Sequence, residues 1–126
     1  ACIHEEIMCL PGGYSHLLIE NGSNISGGQR QRIEVARALV GNPSLIILDE
    51  ALNAIDEKTE MEVYNNIIKR NCSVLLVTHR INSISNFDKI VVLNQGHIVE
   101  VGSHSDLMNA NGFYSQMQKF SIAENS

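Results

Sequence analysis

Two adjacent acidic residues, Asp49 and Glu50, follow directly after the apolar run Leu45–Leu48. An apolar strand that ends in two acids places carboxylates in a partly dry cleft. One carboxylate suits Mg²⁺, which prefers oxygen ligands and keeps several waters. The other suits the orientation or deprotonation of an attacking water. The same pattern also occurs where an acid merely caps the following turn, so the pair alone leaves both interpretations open.

The tetrapeptide Ser26-Gly27-Gly28-Gln29 stands where a helix is predicted to begin. The first amides of a helix lack intrahelical acceptors and carry the positive end of the helix dipole, so they form an anion site. Glycine lets a phosphate come close, and the Ser26 hydroxyl and the Gln29 amide add donors. An ordinary capped turn made flexible by glycine explains the four residues equally well.

His79 directly follows the apolar segment 73–78. A lone histidine at such a place is more often structural than catalytic. Beside Asp49 and Glu50, however, it could donate to a phosphate or sense its presence. The remaining histidines share no spacing with one another or with carboxylates that predicts metal binding; they are His4, His16, His97 and His104.

The elements that must position these residues follow from apolar periodicity. The spacing predicts a helix over 27–40, with Ser26 as its N-cap and Gly41-Asn42-Pro43 at its end. Residues 44–48 and 73–78 are short continuous apolar runs, as expected of buried parallel strands. The candidate acids and the candidate histidine therefore each follow a strand.

A second helix is predicted over roughly 57–70, with Asp56 as its cap. Its inward-facing residues are expected to be Met61, Tyr64, Ile67 and Ile68. The other predicted elements are a weak helix within 1–10, a short helix at 82–86, a hairpin of 89–93 and 97–101, a helix capped by Ser103 with Asp106, and a last helical segment at 113–120.

This order of elements predicts an α/β fold, with a mostly parallel sheet flanked by helices and with a C-terminal β-hairpin and helices. In such sheets, ligands bind beyond the carboxyl ends of the strands. Asp49, Glu50 and His79 are all predicted to lie there. That common location is a functional argument which rests on the residues alone.

Composition restricts the classes of function. The net charge of −5 over 126 residues argues against a nucleic-acid partner. The apolar runs are strand-sized, far short of the roughly 20 residues of a membrane span. We therefore expect these residues to be soluble by themselves. The sequence begins at Ala1 without a signal peptide and reads as part of a longer chain.

Taken together, the candidates resemble the motifs of ATP-binding-cassette (ABC) ATPases. Residues 24–32, Asn-Ile-Ser-Gly-Gly-Gln-Arg-Gln-Arg, are similar to the signature motif, and residues 45–50 are similar to the Walker B strand. Residues 53–56 stand where the D-loop stands, and residues 77–80 resemble the switch-histidine loop. Residues 91–102 resemble the closing hairpin of the ATPase domain.

The resemblance implies a role for each candidate. Asp49 would coordinate Mg²⁺ through water, Glu50 would be the catalytic carboxylate, and His79 would contact the γ-phosphate of ATP. Ser26, Gly27, Gly28 and Gln29 would contact the γ-phosphate of a nucleotide bound by a second copy in a head-to-tail dimer. Asp56 would lie at the interface between the two copies. The implied reaction is ATP hydrolysis, which depends mainly on positioning and electrostatics.

The sequence departs from the family pattern in two places. The D-loop has Asn53 where the family usually has Ser, and Leu52 replaces a Thr, so we expect altered coupling with binding retained. The 126 residues also contain no Gly-x-x-x-x-Gly-Lys-Ser/Thr loop to hold the β- and γ-phosphates. A partial P-loop NTPase-like domain is therefore expected, inactive by itself. A catalytically silent regulatory or interaction module is the alternative.

Within that partial domain, residues 1–24 are predicted to end a helical subdomain. Residues 25–102 would form the ATPase core, and residues 103–126 the C-terminal helices. Residues 98–107 and the opening 3–14 are similar to exporters, most closely to bacterial peptide or bacteriocin exporters. This implies a transmembrane-domain partner and a place at the cytoplasmic face of the cell membrane. Cassette ATPases of DNA repair fit less well, since no heptads precede the signature motif.

Overall fold

A computed structural model describes the backbone of residues 1–124 and the side chains of residues 1–121. The helices are α1 (His4–Met8), α2 (Gly27–Val40), α3 (Glu57–Ile68), α4 (His104–Asn109) and α5 (Phe113–Glu124); the strands are β1 (Leu45–Asp49), β2 (Ser73–Val77), β3 (Ile90–Asn94) and β4 (His97–Gly102). The chain folds as two compact units, residues 1–78 and the residues from His79 onward. The functional division at residues 24 and 102 stays a prediction, and its last two residues lie outside the described part.

The first unit contains a parallel pair of strands, which confirms the predicted α/β class. β1 and β2 pair from Leu45↔Ser73 to Asp49↔Val77, and the Glu50 amide extends the pairing by donating to the Val77 carbonyl at 2.9 Å. Only one face of β1 is buried, since Ile46 and Leu48 are each 4% exposed. The continuous apolar run that predicted a buried strand therefore fills just one side of the sheet among the described residues.

Helix α2 begins and ends at the predicted residues. Ser26 is its N-cap, and a reciprocal capping box joins Ser26 to Gln29. The residue with positive φ at its end is Asn42 (45°), whereas Gly41 has a φ of −79°. Asparagine is one of the few residues that visits this conformation readily. The left-handed residue that ends the helix is therefore Asn42, one position after the glycine predicted for this role.

The start of α2 packs closely on the loop that follows β1. A Cβ built on Gly28 would lie 2.6 Å from Ile55 Cγ2 and 3.1 Å from the Ala54 carbonyl oxygen. The Gln31 side chain adds two hydrogen bonds to this loop, donating to Asn53 Oδ1 and accepting from the Ala54 amide. Helix and loop therefore form one packed body.

Helix α3 is capped by Asp56, as predicted. The Asp56 carboxylate accepts hydrogen bonds from the Thr59 amide at 2.9 Å and the Thr59 hydroxyl at 2.8 Å. Tyr64 and Ile67 are buried as expected, whereas the predicted inward residues Met61 and Ile68 are only half-buried. The remaining buried positions of the helix are Glu60 and Val63.

The second unit is built on the predicted hairpin. β3 and β4 pair in antiparallel fashion with a bulge at Val92/Leu93. Gln95 and Gly96 make the turn with φ values of 48° and 78°, as a tight two-residue hairpin turn requires. The apolar core of this unit consists of Ile81, Ile90, Val92, Leu107 and Tyr114.

Three helical segments complete the second unit. Ser103 and Asp106 form the predicted capping box of α4. α5 begins after Gly112, where the Glu100 carboxylate accepts from the amides of Phe113 and Tyr114 at 2.9 and 2.8 Å. The short helix predicted at 82–86 is a single 3₁₀ turn over Ile81–Ile84. Among the residues the structure describes, no helix combines the length and apolarity needed to cross a membrane.

The Gly28 contact yields a matched pair of substitutions. Gly28→Ala should lower the free energy of unfolding by about 1–3 kcal/mol, because the new methyl group overlaps Ile55 and Ala54. Gly27→Ala should leave stability unchanged or raise it by up to about 1 kcal/mol, since its Cβ would lie 3.6 Å from the nearest atom, Ala54 Cβ. Urea unfolding followed by circular dichroism measures both. Equal effects of the two substitutions would contradict the packing argument.

The open face of the parallel sheet predicts self-association of this chain. Ile47 and Leu75 are paired on that face and are 62% and 53% exposed, and exposed apolar patches of this kind drive association. We expect the chain to elute in size-exclusion chromatography above its 13.9 kDa monomer mass. The double change Ile47→Thr with Leu75→Thr should restore the monomer, whereas Ile98→Thr on the hairpin should not. A stable wild-type monomer at high concentration would oppose this prediction.

Candidate functional site

The start of α2 presents the donors expected of an anion site. Ser26 Oγ accepts from the Gln29 amide at 3.1 Å, and Gln29 Oε1 accepts from the Ser26 amide at 2.9 Å. The amides of Gly27 and Gly28 belong to the first helical turn and therefore have no intrahelical acceptor. The predicted donors are present, except that the side-chain amide of Gln29 already donates a hydrogen bond. Its Nε2 donates to Glu6 Oε2 at 3.0 Å.

These donors open onto a cleft of about 430 Å³ between α1, α2 and the loop before α3. Its lining residues are Glu6, Ser26, Gly27, Gly28, Arg32, Ala54, Ile55, Asp56 and Thr59. The cleft therefore brings together four of the predicted site residues: Ser26, Gly27, Gly28 and Asp56. Gln29 adjoins it through its bond to Glu6.

Arg32, the positively charged residue of this cleft, forms an ion pair with Glu6. Arg32 Nη1 lies 2.6 Å from Glu6 Oε1, and its Nη2 donates to Glu6 Oε2 at 2.9 Å. The hydrogen bond from Arg32, with a further one from Gln29, holds the pKa of Glu6 below its usual range despite partial burial. Arg32 also donates to the carbonyls of Gly28 and Cys2. Its charge therefore serves to join α1 to α2.

Asp56 adds a negative charge to the same cleft. Hydrogen bonds from the Thr59 amide and hydroxyl lower the pKa of its exposed carboxyl, so it is ionised at neutral pH. A phosphate approaching the amides of Gly27 and Gly28 would meet this carboxylate as well. The described cleft therefore supplies directional donors without a net positive charge.

Asp49 and Glu50 lie at the carboxyl end of β1, as predicted, and both side chains are exposed. They line a second open cleft of about 400 Å³ with residues of α2, including Arg30 and Glu34. The expected partly dry setting is therefore wrong for the described residues. Glu50 adopts a φ of +45°, a left-handed conformation that costs a non-glycine residue about 1–2 kcal/mol. Such strain is concentrated at functional sites.

The acids fit Mg²⁺ only as a partial ligand set. No group of three or more metal-binding side chains occurs among the described residues. Mg²⁺ demands six oxygens in an octahedron, but it retains several waters and commonly takes phosphate oxygens. A single carboxylate such as Asp49, acting through water, is compatible with that arrangement when a nucleotide supplies the remaining oxygens.

His79 opens the second unit, two residues after the end of β2. Its predicted place beside Asp49 and Glu50 stays a prediction. Sequence reasoning missed two contacts next to the candidate residues of the first unit: Arg32 with Glu6, and Gln31 with the loop at 53–54. Arg32 stands one helical turn after Gly28, and that spacing is a signal that it shares a face with the glycines.

Comparison with known proteins agrees with this arrangement. The sequence profile of the family described as ABC transporter matches residues 10–53, which include the start of α2 and both acids. The chain is 44% identical over 116 residues to the ATP-dependent lipid A-core flippase of Blochmanniella floridana, covering 90% of this chain and 20% of the flippase. It is 42% identical over 122 residues to the leukotoxin translocation ATP-binding protein of Mannheimia haemolytica, covering 94% of this chain and 17% of that protein.

A solved structure gives the same answer for the fold. The chain superposes on a bacterial Atm1-family ABC exporter with ATP bound with a TM-score of 0.84, at 37% identity over 93% of this chain and 21% of the exporter. The chain spans about a fifth of the length of the relatives it matches. Over more than nine tenths of its length, the chain is similar in sequence and fold to part of an ABC exporter.

Proposed function

We propose that these residues carry the signature and hydrolytic parts of an ATPase that drives export across a membrane. The observation that supports this best is the capped start of α2, where the Ser26 hydroxyl and the amides of Gly27 and Gly28 face one cleft. This set of donors suits a terminal phosphate. The similarity to an exporter with ATP bound points to the same ligand.

The two acids at the end of β1 have separate roles in this proposal. Asp49 would hold Mg²⁺ through water, and the ion would supply charge neutralisation for the phosphates. Glu50 would orient the attacking water and accept its proton. The left-handed backbone of Glu50 turns the chain away from the strand direction immediately after Asp49. His79 would contact the γ-phosphate.

The start of α2 would act on nucleotide held by a second copy in a head-to-tail dimer. The reason is chemical: these 126 residues contain donors for a terminal phosphate but no phosphate-binding loop. The cleft also lacks a net positive charge, so it suits a nucleotide that another surface already holds. Asp56, which is exposed beside the cleft, would lie at the interface between the copies.

A transmembrane domain is the proposed second partner, and the cytoplasmic face of the membrane the proposed location. The relatives named above include a flippase and a translocation protein, so export in general is better supported than any one cargo. Their names point to different cargoes, a lipid and a toxin. The sequence itself favours bacterial peptide or bacteriocin exporters.

The second candidate is a catalytically silent interaction module. The observation in its favour is the local charge of the cleft, where Asp56 is ionised and Arg32 is neutralised by Glu6. An isolated site of this kind repels a free anion. The two functions differ in the requirement for Glu50, which matters for turnover only in the ATPase.

The isolated chain should bind Mg-ATP weakly or not at all, because its cleft offers donors without a phosphate-binding loop or a net positive charge. Isothermal titration calorimetry with Mg-ATP measures this directly, and a complete exporter ATPase domain serves as the positive control. Tight, saturable binding to the isolated chain would show that the half-site interpretation is wrong.

In a complete exporter that carries these residues, Glu50→Gln should lower ATP turnover by at least about 100-fold, because the carboxylate that accepts the proton is lost. ATP binding should persist, and the variant should accumulate as an ATP-bound dimer. Glu34→Gln is the matched control, since it removes a carboxylate from the same cleft and should leave turnover near normal. Steady-state phosphate release measures both, and normal turnover in Glu50→Gln would favour the silent module.

A further inference from the structure

The turn that follows His79 is held by a buried side chain of the last helix. Gln118 of α5 is only 6% exposed, and its Nε2 donates to the Ile81 carbonyl at 3.1 Å and to the Tyr114 hydroxyl at 3.2 Å. Both protons of this amide are therefore used. A buried carbonyl needs such a donor, because an unsatisfied polar group in the interior is costly.

Further contacts fix the same turn. Asn82 Nδ2 donates to the Ser121 hydroxyl of α5 at 2.8 Å, and the Ser83 hydroxyl donates to the Arg80 carbonyl at 2.9 Å. The Ile81 side chain is buried in the core of the second unit. The backbone immediately after His79 is thus fixed by polar contacts on one side and by apolar packing on the other.

Gln118 reaches the backbone of the turn from a different element, α5, whereas Ser83 belongs to the turn itself. The Ile81 carbonyl lies only two residues after His79, and two residues of extended chain span at most about 7 Å. A shift of the Ile81 peptide therefore changes the position or the direction of the His79 side chain. Catalytic geometry is sensitive to displacements of this size.

We propose that Gln118 is a positioning residue for His79, which it holds through the Ile81 carbonyl. The inference rests on the proposed role of His79 as the residue that contacts the γ-phosphate. It extends the functional machinery to α5, a helix that carries none of the predicted site residues. Gln118 itself touches no substrate in this proposal.

The unmodified chain provides the first test. The Nε2 protons of Gln118 should exchange with water at least about tenfold more slowly than those of Gln116, since they are buried and bonded. Gln116 is the internal reference because it is an exposed glutamine of the same helix. NMR exchange spectroscopy on the folded chain measures both rates, and equal rates would overturn the proposal without any substitution.

The second test substitutes the side chain and observes His79. Gln118→Met keeps the size of the residue but removes the donor, so the imidazole resonances of His79 should shift and broaden. Gln116→Met and Tyr114→Phe should leave those resonances unchanged; the second removes a hydroxyl from the same core but spares the bond to Ile81. Gln118→Glu serves if Gln118→Met does not fold, as its carboxylate also cannot donate. Unchanged His79 resonances in the folded variant would refute the proposal.

Turnover in a complete exporter separates the two levels of inference. Gln118→Met should lower kcat by about 10- to 100-fold with KM for ATP nearly unchanged. KM should change little because Gln118 is not part of the phosphate-binding loop that holds the nucleotide. His79→Ala is the reference variant. If His79→Ala turns over normally, the proposed function of His79 fails. If His79→Ala is inactive and Gln118→Met has normal kcat, only the positioning role fails.

Discussion

The close approach of Gly28 to Ala54 and Ile55 is the contact on which the geometry of the first unit depends. A side chain at position 28 would overlap Ile55 Cγ2 at 2.6 Å, so only glycine lets α2 and the loop lie this near. Through this contact, the loop that begins at Glu50 and ends at Asp56 is fixed relative to the amides at the start of α2. The second glycine of the tetrapeptide thus serves helix–loop packing, whereas the sequence alone suggested that it makes room for a phosphate.

The charges in the first unit fit the proposal that another surface completes the site. Arg32 is neutralised by Glu6, Asp56 keeps its negative charge while it caps α3, and the donors of the cleft are a hydroxyl and backbone amides. Such donors recognise the shape of a phosphate without strongly attracting a free anion. This behaviour fits the proposed role of the cleft, in which it would engage a nucleotide that another surface has already bound.

In the described part of the second unit, every buried side-chain nitrogen and oxygen has a hydrogen-bond partner. Glu100 caps α5 through two amides, and a Cβ at Gly112 would overlap that carboxylate. Tyr114 is 1% exposed, its burial raises the pKa of its hydroxyl, and that hydroxyl contacts both His104 and Gln118. Networks of this kind specify one arrangement of helix and turn, because any shift leaves a polar group unpaired.

Local chemistry made much of this molecule predictable. The caps at Ser26, Asp56 and Ser103, the limits of α2 and the hairpin all follow from short-range rules, since each depends on residues within a few positions of one another. The motifs likewise predicted the similarity to ABC transporters. The prediction that was wrong, a partly dry setting for Asp49 and Glu50, depends on distant residues.

What the sequence by itself determined was therefore the type of each element, the resemblance to ABC transporters and the candidate chemistry. The tertiary structure decided that Gly28 packs on Ile55, that Arg32 is paired with Glu6 and that Gln118 holds the Ile81 carbonyl. These contacts join residues between 26 and 37 positions apart. Their partners become neighbours only after the chain has folded, so no local pattern of spacing encodes them.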